Sequence, residues 1–301
     1  MRILVTGATG LIGRELCQSL LSDGHAVIGL SRSPESARRV PVTELHRWEP
    51  MSGPPAAESL AGVDVVIHLA GEPIAARRWS GEQKRRIRDS RVVSTRHLVS
   101  GMLAMTTPPA AFLSSSAVGF YGDRGDEVLD EQSPAGVGFM ADVCKAWEQE
   151  AARAAGSGIR VVMVRTGVVL SREGGILEKM RLPFALGGGG KLGSGRQWFP
   201  WIHMADMVDI YRYALGEPTL AGPVNATAPT PVTNAELTRR FAAALHRPAF
   251  LSVPEFGLRL VLGELAGALL MSQRVLPGVL LAAGFRFRFA TLEGALADLF
   301  G

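Results

Sequence analysis

A short apolar segment near the amino terminus runs directly into three glycines that are spaced three residues apart. The segment is Arg2–Thr6, and the glycines are Gly7, Gly10 and Gly13. The apolar residues that follow recur at helical spacing, and they are Leu11, Ile12, Leu16 and Leu20. Gly24 then ends the pattern as a helix stop. The segment therefore predicts a strand, a tight turn and a helix.

This order of elements can make a pyrophosphate site from the backbone alone. Gly7 permits the tight turn, Gly10 lets the chain approach the phosphates, and Gly13 lets the helix pack on the strand. The first amides and the dipole of the helix would face the anion. The predicted site comprises Gly7, Thr9, Gly10, Leu11, Ile12 and Gly13. The alternative is a tight turn with no ligand.

Length and composition suit a folded α/β protein with a sizeable core. The chain has 301 residues, 47% of them hydrophobic and only 20% charged, which argues against disorder. Cys17 and Cys144 both lie in helical patterns and indicate a reducing compartment. With no apolar run of spanning length and no leader, we expect a cytoplasmic protein without a membrane partner. The most apolar stretch, residues 258–271, predicts a buried helix.

Continuous apolar runs alternate with helical patterns through the first half of the chain. Strands are predicted at residues 2–6, 26–30, 63–69, 110–114 and 160–165. Helices are predicted at residues 11–23, 80–105 and 141–155. This alternation is typical of an α/β fold with a doubly wound parallel Rossmann sheet. We expect a Rossmann domain over residues 1–166, to which some later segments return, and a smaller, mostly helical domain over residues 167–301.

The end of the second predicted strand indicates which dinucleotide would bind. An acid usually holds the ribose diol of NAD at this place, but this chain has Ser31 and Arg32. Arg32 can pair with a 2′-phosphate and stack on adenine, and Ser31 can donate a further hydrogen bond. The sequence therefore predicts NADP(H), with Arg38 and Arg39 as candidate helpers. The alternative is that Arg32 is a solvated surface arginine.

Residues 77–91 are locally basic, but acids lie within the same segment and no aromatic ladder accompanies it. A solvated helix face explains most of these charges, and we expect no nucleic-acid partner. His203 and Asp206 are two ligand types without a third, so we expect no metal.

Several longer strings resemble the extended short-chain dehydrogenase/reductase superfamily. More narrowly, the chain is similar to the atypical epimerase family, also described as SulA-type cell-division-inhibitor-like proteins. The resemblance covers essentially the whole chain. Its strings are residues 6–13, 68–71, 87–91, 114–117, 121–122, 165–170, 193–198, 201–203, 225–229, 273–275 and 284–285.

This resemblance implies an NADP-binding Rossmann domain and a C-terminal domain that binds a small-molecule substrate. By match, Leu69, Ala70 and Gly71 lie against the adenosine and pyrophosphate side of the cofactor. Arg91 is implied as a cofactor contact, and Val168 lies beside the nicotinamide. A homodimer is a further possibility that the sequence leaves open.

Superfamily enzymes use a serine, a tyrosine and a lysine, with the tyrosine four residues before the lysine on one helix face. Lys145 fits the lysine, which also binds the nicotinamide ribose, but Ala141 stands in the place of the tyrosine. Ser116 fits the serine, with Ser115 as the neighbouring candidate; the alternative is that Ser116 is a strand-end hydroxyl that bonds to backbone. Tyr121 is the candidate proton donor in the next loop; the alternative is a packing role.

Two functions therefore remain open at the level of the sequence. The first is an NADP(H)-dependent oxidoreductase or epimerase that acts on a carbonyl or carbinol carbon. The second is a cofactor-bound regulatory protein with little turnover, which Ala141 favours.

Overall fold

The fold is given by a computed structural model that describes residues 1–35 and 40–301. Its strands are β1 (Arg2–Thr6), β2 (Ala26–Ser31), β3 (Glu44–Arg47), β4 (Val65–His68), β5 (Ala111–Ala117), β6 (Val128–Leu129), β7 (Arg160–Thr166), β8 (Val168–Leu170), β9 (Gly190–Leu192), β10 (Trp198–Phe199), β11 (Trp201–His203), β12 (Gly222–Ala226), β13 (Val232–Thr233), β14 (Leu251–Val253) and β15 (Arg274–Val275).

The helices follow the strands in an alternating order through the first half of the chain. They are α1 (Leu11–Ser22), α2 (Ala57–Leu60), α3 (Gly81–Leu103), α4 (Phe139–Ala152), α5 (Gly175–Ala185), α6 (Met204–Gly216), α7 (Asn234–Ala244), α8 (Glu255–Leu262), α9 (Leu265–Leu270), α10 (Gly278–Ala282) and α11 (Leu292–Phe300). Short 3-10 turns at Val118–Tyr121 and Arg153–Ser157 follow β5 and α4.

Seven parallel strands form the central sheet in the order β12-β7-β5-β4-β1-β2-β3. The chain first builds outward from β1 to β3, then returns to β4 on the other side of β1 and builds the opposite way. The topological switch point thus lies between β1 and β4, where ligands bind on sheets of this kind. The predicted doubly wound Rossmann fold is confirmed.

Alternate residues of the inner strands supply two separate cores, one on each face of the sheet. Ile3 and Val5 belong to the core that packs against α1 and α6, whereas Leu4 belongs to the core that packs against α3. Both faces of each inner strand are buried, so the strands appear in the sequence as continuous apolar runs. Helices on both faces therefore fix the carboxyl edge of the sheet, where the functional loops lie.

A third apolar core lies outside the sheet and joins α5, α7 and α11. Thr233 begins α7 as its N-cap, because its side chain accepts a hydrogen bond from the Glu236 amide. Four two-stranded pairings lie outside the main sheet: β6 with β15, β8 with β11, β9 with β14, and β10 with β13. The chain also returns to the main sheet, where β12 forms the edge strand beside β7. The division at residue 166 remains a prediction.

The structure corrects one element of the sequence analysis. Residues 258–271 do not form one buried helix, because the chain breaks at Gly263, whose φ of +62° suits glycine. The result is α8 and α9, and the outer side of α8 is apolar and open to solvent: Phe256 is 76% and Leu260 75% exposed. Apolar content without clear periodicity could not distinguish burial from exposure here.

Candidate active site at the carboxyl edge of the sheet

The glycine turn after β1 is closely packed by neighbouring backbone. Gly7 has a φ of +71°, and an added Cβ there would lie 2.8 Å from the Ala70 amide nitrogen at the end of β4. A Cβ on Gly13 would lie 2.2 Å from the Gly7 carbonyl oxygen. The N-cap of α1 is Gly10, which has no side-chain hydrogen bond to the helix. The start of α1 therefore presents backbone amides at the switch point.

A cleft of about 970 Å³ opens at this turn. Eight of the predicted cofactor residues line it: Gly7, Thr9, Gly10, Ser31, Arg32, Leu69, Ala70 and Gly71. The walls add further residues that the sequence analysis did not assign, among them Arg14, Trp48, Glu72, Arg85 and Ser90. The backbone turn, the end of β2 and the loop after β4 therefore meet in one cleft.

Arg32 is exposed in this cleft, directly after β2. It makes no ion pair with any other described residue. The Ser31 hydroxyl accepts a hydrogen bond from the Ser33 amide at 3.2 Å, which fixes the backbone beside Arg32. Arg38 and Arg39, the candidate helpers, lie outside the described residues. Because the Arg32 guanidinium pairs with no acid among residues 1–35 and 40–301, it is available to a phosphate.

The other predicted cofactor residues do not line the cleft. Leu11 and Ile12 pack with their side chains on the core, and Gly13 is buried beneath the turn. Val168 is half-buried in β8, where it pairs with Trp201 of β11. Their predicted contacts with a cofactor remain predictions, and for residues 11–13 these contacts would be made by backbone.

Arg91 supports the loop after β4. Its Nη1 donates to the carbonyl oxygens of Glu72 and Ile87, each at 3.0 Å. Its guanidinium also lies 5.4 Å from the ring centre of Trp147 on α4. A Cβ added to Gly71 would meet the guanidinium carbon at 3.3 Å. Arg91 therefore braces the wall of the cleft from behind.

A buried histidine that the sequence analysis did not single out joins β1 to β4. The Thr6 hydroxyl and His68 Nδ1 are 2.6 Å apart, and the Ala70 amide donates to the same hydroxyl. On the other side of the ring, Nε2 lies 3.2 Å from the Ser94 hydroxyl, which donates to the Ser90 carbonyl. We therefore assign the ring proton to Nε2. Burial lowers the pKa of His68 to about 3, so the ring is neutral.

Ser116 and Tyr121 belong to one buried network with three residues that the sequence analysis missed. The Ser116 hydroxyl donates to Glu148 at 2.6 Å, and Arg165 pairs with both oxygens of Glu148 at 2.9 Å. The Arg165 Nη1 also donates to the Tyr121 hydroxyl at 3.0 Å, and that hydroxyl donates to Asn225 at 2.7 Å.

Each member of this network is buried, and Tyr121 has no exposed surface. Burial raises the pKa of Tyr121 to about 12, although the Arg165 guanidinium opposes the shift. In this conformation the Tyr121 proton is held by Asn225 and does not face the cleft. The geometry favours the packing alternative for Tyr121, and its predicted proton transfer is not tested by these contacts.

Lys145 lies outside the network although it is on the same helix as Glu148. Its ammonium group pairs with Asp142 at 2.7 Å, and the side chain is partly exposed. Ala141, at the place of the superfamily tyrosine, is buried. The structure thus groups Ser116 with Tyr121 and leaves Lys145 available at the surface of α4.

Hydrogen bonds from the C-terminal segment hold the loop that carries Tyr121. The Gln273 amide group donates to the carbonyl oxygens of Val118 and Gly122, at 2.8 and 2.9 Å. The Asn225 side chain donates to the Leu276 carbonyl at 2.9 Å. The buried Glu131 carboxyl joins the same region, because it accepts hydrogen bonds from the amides of Asn225 and Val279.

His203 and Asp206 have structural partners. The His203 Nδ1 caps α6 by accepting from the Ala205 amide, and Asp206 accepts from the amides of Arg288 and Phe289. Within residues 1–35 and 40–301 no group of three or more metal-ligating side chains is found. In the same residues, no helix is both long and apolar enough to cross a membrane.

Comparison with known proteins gives the family. Residues 3–226 match the NAD dependent epimerase/dehydratase family, and residues 253–299 match a domain of unknown function, DUF1731. The chain belongs to the NAD dependent epimerase/dehydratase family. The family resemblance inferred from the sequence strings is thereby confirmed.

Relatives match along the whole chain. The epimerase family protein Mb2239 of Mycobacterium bovis is 43% identical over 297 residues, which cover 98% of this chain and 96% of the relative. The mouse epimerase family protein SDR39U1 is 41% identical over 303 residues, or 99% of each chain. A crystal structure of human SDR39U1 with NADPH superposes with a TM-score of 0.90 at 37% identity, covering 99% of both chains.

Proposed function

We propose that this protein binds NADP(H) in the cleft between β1, β2 and β4. The observation that carries the proposal is the exposed Arg32 guanidinium beside the backbone turn of Gly7 and Gly10. The turn provides amides for the pyrophosphate, and Arg32 provides charge for the 2′-phosphate. The human relative was crystallised with NADPH, which supports the same cofactor here.

We further propose that the protein is an oxidoreductase or epimerase that acts on a small carbonyl or carbinol substrate. The bound nicotinamide would supply or accept the hydride. Lys145, whose side chain is partly exposed to solvent, would hold the nicotinamide ribose. Because the Ser116 hydroxyl donates to Glu148, its oxygen would accept a hydrogen bond from a substrate hydroxyl. Water would then carry the proton, since Asn225 holds that of Tyr121.

The second candidate is a regulatory protein that binds NADP(H) with little turnover. Ala141 favours it, because this buried methyl group replaces a titratable phenol on the helix that carries Lys145. Both candidates require the same cofactor cleft, and they differ only in whether hydride transfer follows binding.

Calorimetric titration of NADPH and NADH tests the cofactor. Wild type is compared with Arg32→Ser, and with Arg153→Ser as a control at an exposed arginine directly after the C-terminal end of α4. A hydrogen bond between charged groups contributes about 1.5–3 kcal/mol, so NADPH affinity should fall by roughly 10- to 100-fold in Arg32→Ser alone. NADH affinity should not change. Equal affinities for NADPH and NADH in wild type would overturn the assignment.

Turnover is tested separately. NADPH oxidation is measured against a carbonyl library, and NADP⁺ reduction against the matching carbinols, for wild type and Lys145→Ala. Substrate-dependent turnover that Lys145→Ala loses supports the enzyme. Tight NADPH binding with no turnover in either protein supports the regulator.

A further inference from the structure

Exposed apolar side chains concentrate in three short segments, which we call the apolar-basic surface: residues 74–79, 178–191 and 247–262. Within the described residues, 13 large hydrophobic side chains are exposed, and eight of them lie in these segments. They are Ile74, Leu182, Leu186, Phe250, Leu251, Phe256, Leu260 and Val261. Folded monomers rarely expose such clusters unless the surface binds a partner.

Direct contacts join the three segments. Strand β14 pairs with β9 so that Leu251 stands opposite Gly190, and Arg247 donates to the Ala185 carbonyl at the end of α5. The loop after β4 reaches the same region, since the Lys179 ammonium donates to the Ala75 carbonyl. The Arg78 guanidinium also lies beside Gly263, directly after α8. The exposed residues therefore belong to one neighbourhood of the folded chain.

The same segments are strongly basic. They hold seven lysines and arginines against two acids, Glu178 and Glu255, a net charge of +5. The whole chain carries only +4, so the remainder of the molecule is close to neutral. The cations are Arg77, Arg78, Lys179, Arg181, Lys191, Arg247 and Arg259. Apolar side chains within a cationic surround fit a partner that is both apolar and anionic.

We propose that the apolar-basic surface docks the protein on an anionic lipid membrane. Helix α8 has the appropriate pattern: only Leu258 is buried, and Phe256, Leu260 and Val261 face outward together with Arg259. Aromatic and aliphatic side chains of this kind enter the acyl boundary, while lysine and arginine meet anionic headgroups. This is peripheral contact and needs no spanning helix. The proposal departs from the expectation, drawn from the sequence, that the protein has no membrane partner.

The positive net charge of the apolar-basic surface disfavours a second copy of this chain as its binding partner. A two-fold contact brings the same patch of both subunits together, so it would oppose one set of unbalanced cations to another. Juxtaposed like charges oppose association. An anionic bilayer instead neutralises these cations while it covers the apolar side chains.

Flotation with phospholipid vesicles tests the proposal. Full-length protein is mixed with vesicles of phosphatidylcholine alone, or of phosphatidylcholine with phosphatidylglycerol. We expect binding to the anionic vesicles only, weakened by salt. The Phe256→Ser/Leu260→Ser variant and the Arg78→Glu/Arg181→Glu variant should each reduce the bound fraction by about tenfold, since each removes one component of the contact.

Matched controls lie elsewhere on the surface. Val137→Ser removes an apolar side chain that is 84% exposed, and Arg88→Glu/Arg153→Glu makes the same change in net charge. Both should bind vesicles as wild type does, and urea unfolding of each variant reports that it is folded. Absence of anionic-vesicle binding by wild type, or equal binding by all variants, overturns the proposal. A wild-type dimer that Phe256→Ser/Leu260→Ser converts to a monomer would assign the surface to a second copy instead. The test does not depend on the proposed enzyme activity.

Discussion

The glycine turn after β1 and the polar network beneath β5 lie at the same edge of one parallel sheet, yet they are assembled differently. The turn is local: Gly7, Gly10 and Gly13 fall within seven residues, and backbone provides its chemistry. The network joins Ser116, Glu148, Arg165 and Asn225, which are far apart along the chain, and side chains provide its contacts.

This difference predicts two kinds of sensitivity. A small change at Gly10, the one glycine of the three where an added Cβ meets no severe backbone clash, should affect ligand binding more than folding, because the amides face an open cleft. A change in the network should affect folding first, because each buried polar group depends on a partner from another element. The four predictions below separate these effects, from the largest to the smallest.

Breaking the buried ion pair should give the largest loss of stability. Arg165→Met leaves the Glu148 carboxylate buried without its bidentate partner, so the free energy of unfolding should fall by about 3–5 kcal/mol. Urea unfolding measures it. Removing both charges, in Arg165→Met/Glu148→Met, should cost less than Arg165→Met alone. If the free energy of unfolding of Arg165→Met falls by less than about 1 kcal/mol, the Arg165–Glu148 pair contributes little to stability.

His68 should make stability depend on pH. Its pKa in the folded protein is about 3, below the ordinary value of 6.5, so only the unfolded chain takes up a proton between these values. The contribution of neutral His68 to the free energy of unfolding is therefore fully present above pH 6.5. It falls by about 1.4 kcal/mol for each pH unit between 6.5 and the folded-state pKa. The raised pKa values of Glu131 and Asp206 act in the opposite sense.

The contribution of His68 is isolated by subtraction. Urea unfolding of wild type and His68→Gln is measured from pH 7 to pH 4. The difference between their unfolding free energies should shrink toward acid, because the variant has no ring to protonate. A difference that is constant with pH would mean that His68 takes up a proton equally in both states.

Gly10→Ala should impair binding and leave the fold intact. The added Cβ would lie 3.2 Å from the Gly7 carbonyl oxygen, a contact that a small shift can relieve, but it stands where the phosphates would approach. We expect NADPH affinity to fall about tenfold, or 1.4 kcal/mol, by calorimetry. Gly156→Ala is the control, since no atom lies within 4 Å of its added Cβ. An unchanged NADPH affinity in Gly10→Ala would show that the ligand does not approach the turn at Gly10.

Lys145→Ala should change stability least. The lysine is partly exposed, and among the described residues its ion pair is with the exposed Asp142, so the free energy of unfolding should change by less than about 1 kcal/mol. If Lys145 holds the ribose, NADPH affinity should nevertheless decrease. Asp142→Ala is the matched control, because it removes the same ion pair and keeps the lysine. Equal affinities in all three proteins would remove Lys145 from the cofactor site.

The local part of the molecule could be predicted from the sequence. The turn, helices α1 and α3, and five inner strands of the sheet follow from apolar periodicity and glycine spacing, and the structure places them within a few residues of the predicted bounds. The two edge strands, β3 and β12, were missed, since β3 is only partly buried and β12 returns from distant sequence.

The network could not be predicted from spacing alone. Arg165 ends an apolar strand, and Glu148 follows Lys145 by less than one helical turn, so each appeared as an isolated charge. Two opposite charges at buried positions are a usable indication of a pair, because neither is stable when buried alone. Asn225 and Gln273 carried no comparable indication, since their partners are set by tertiary packing.

The two hydrogen bonds from the Gln273 side chain to the carbonyl oxygens of Val118 and Gly122 predict what truncation of the chain would do. A protein cut before the DUF1731 segment would lose the donors for those two carbonyl oxygens, and the acceptor for the Asn225 amide. Each polar group stranded in this way costs about 1–3 kcal/mol. Residues 253–299 thus supply contacts that support the loop after β5, and we expect their removal to destabilise the region matched by the first family model.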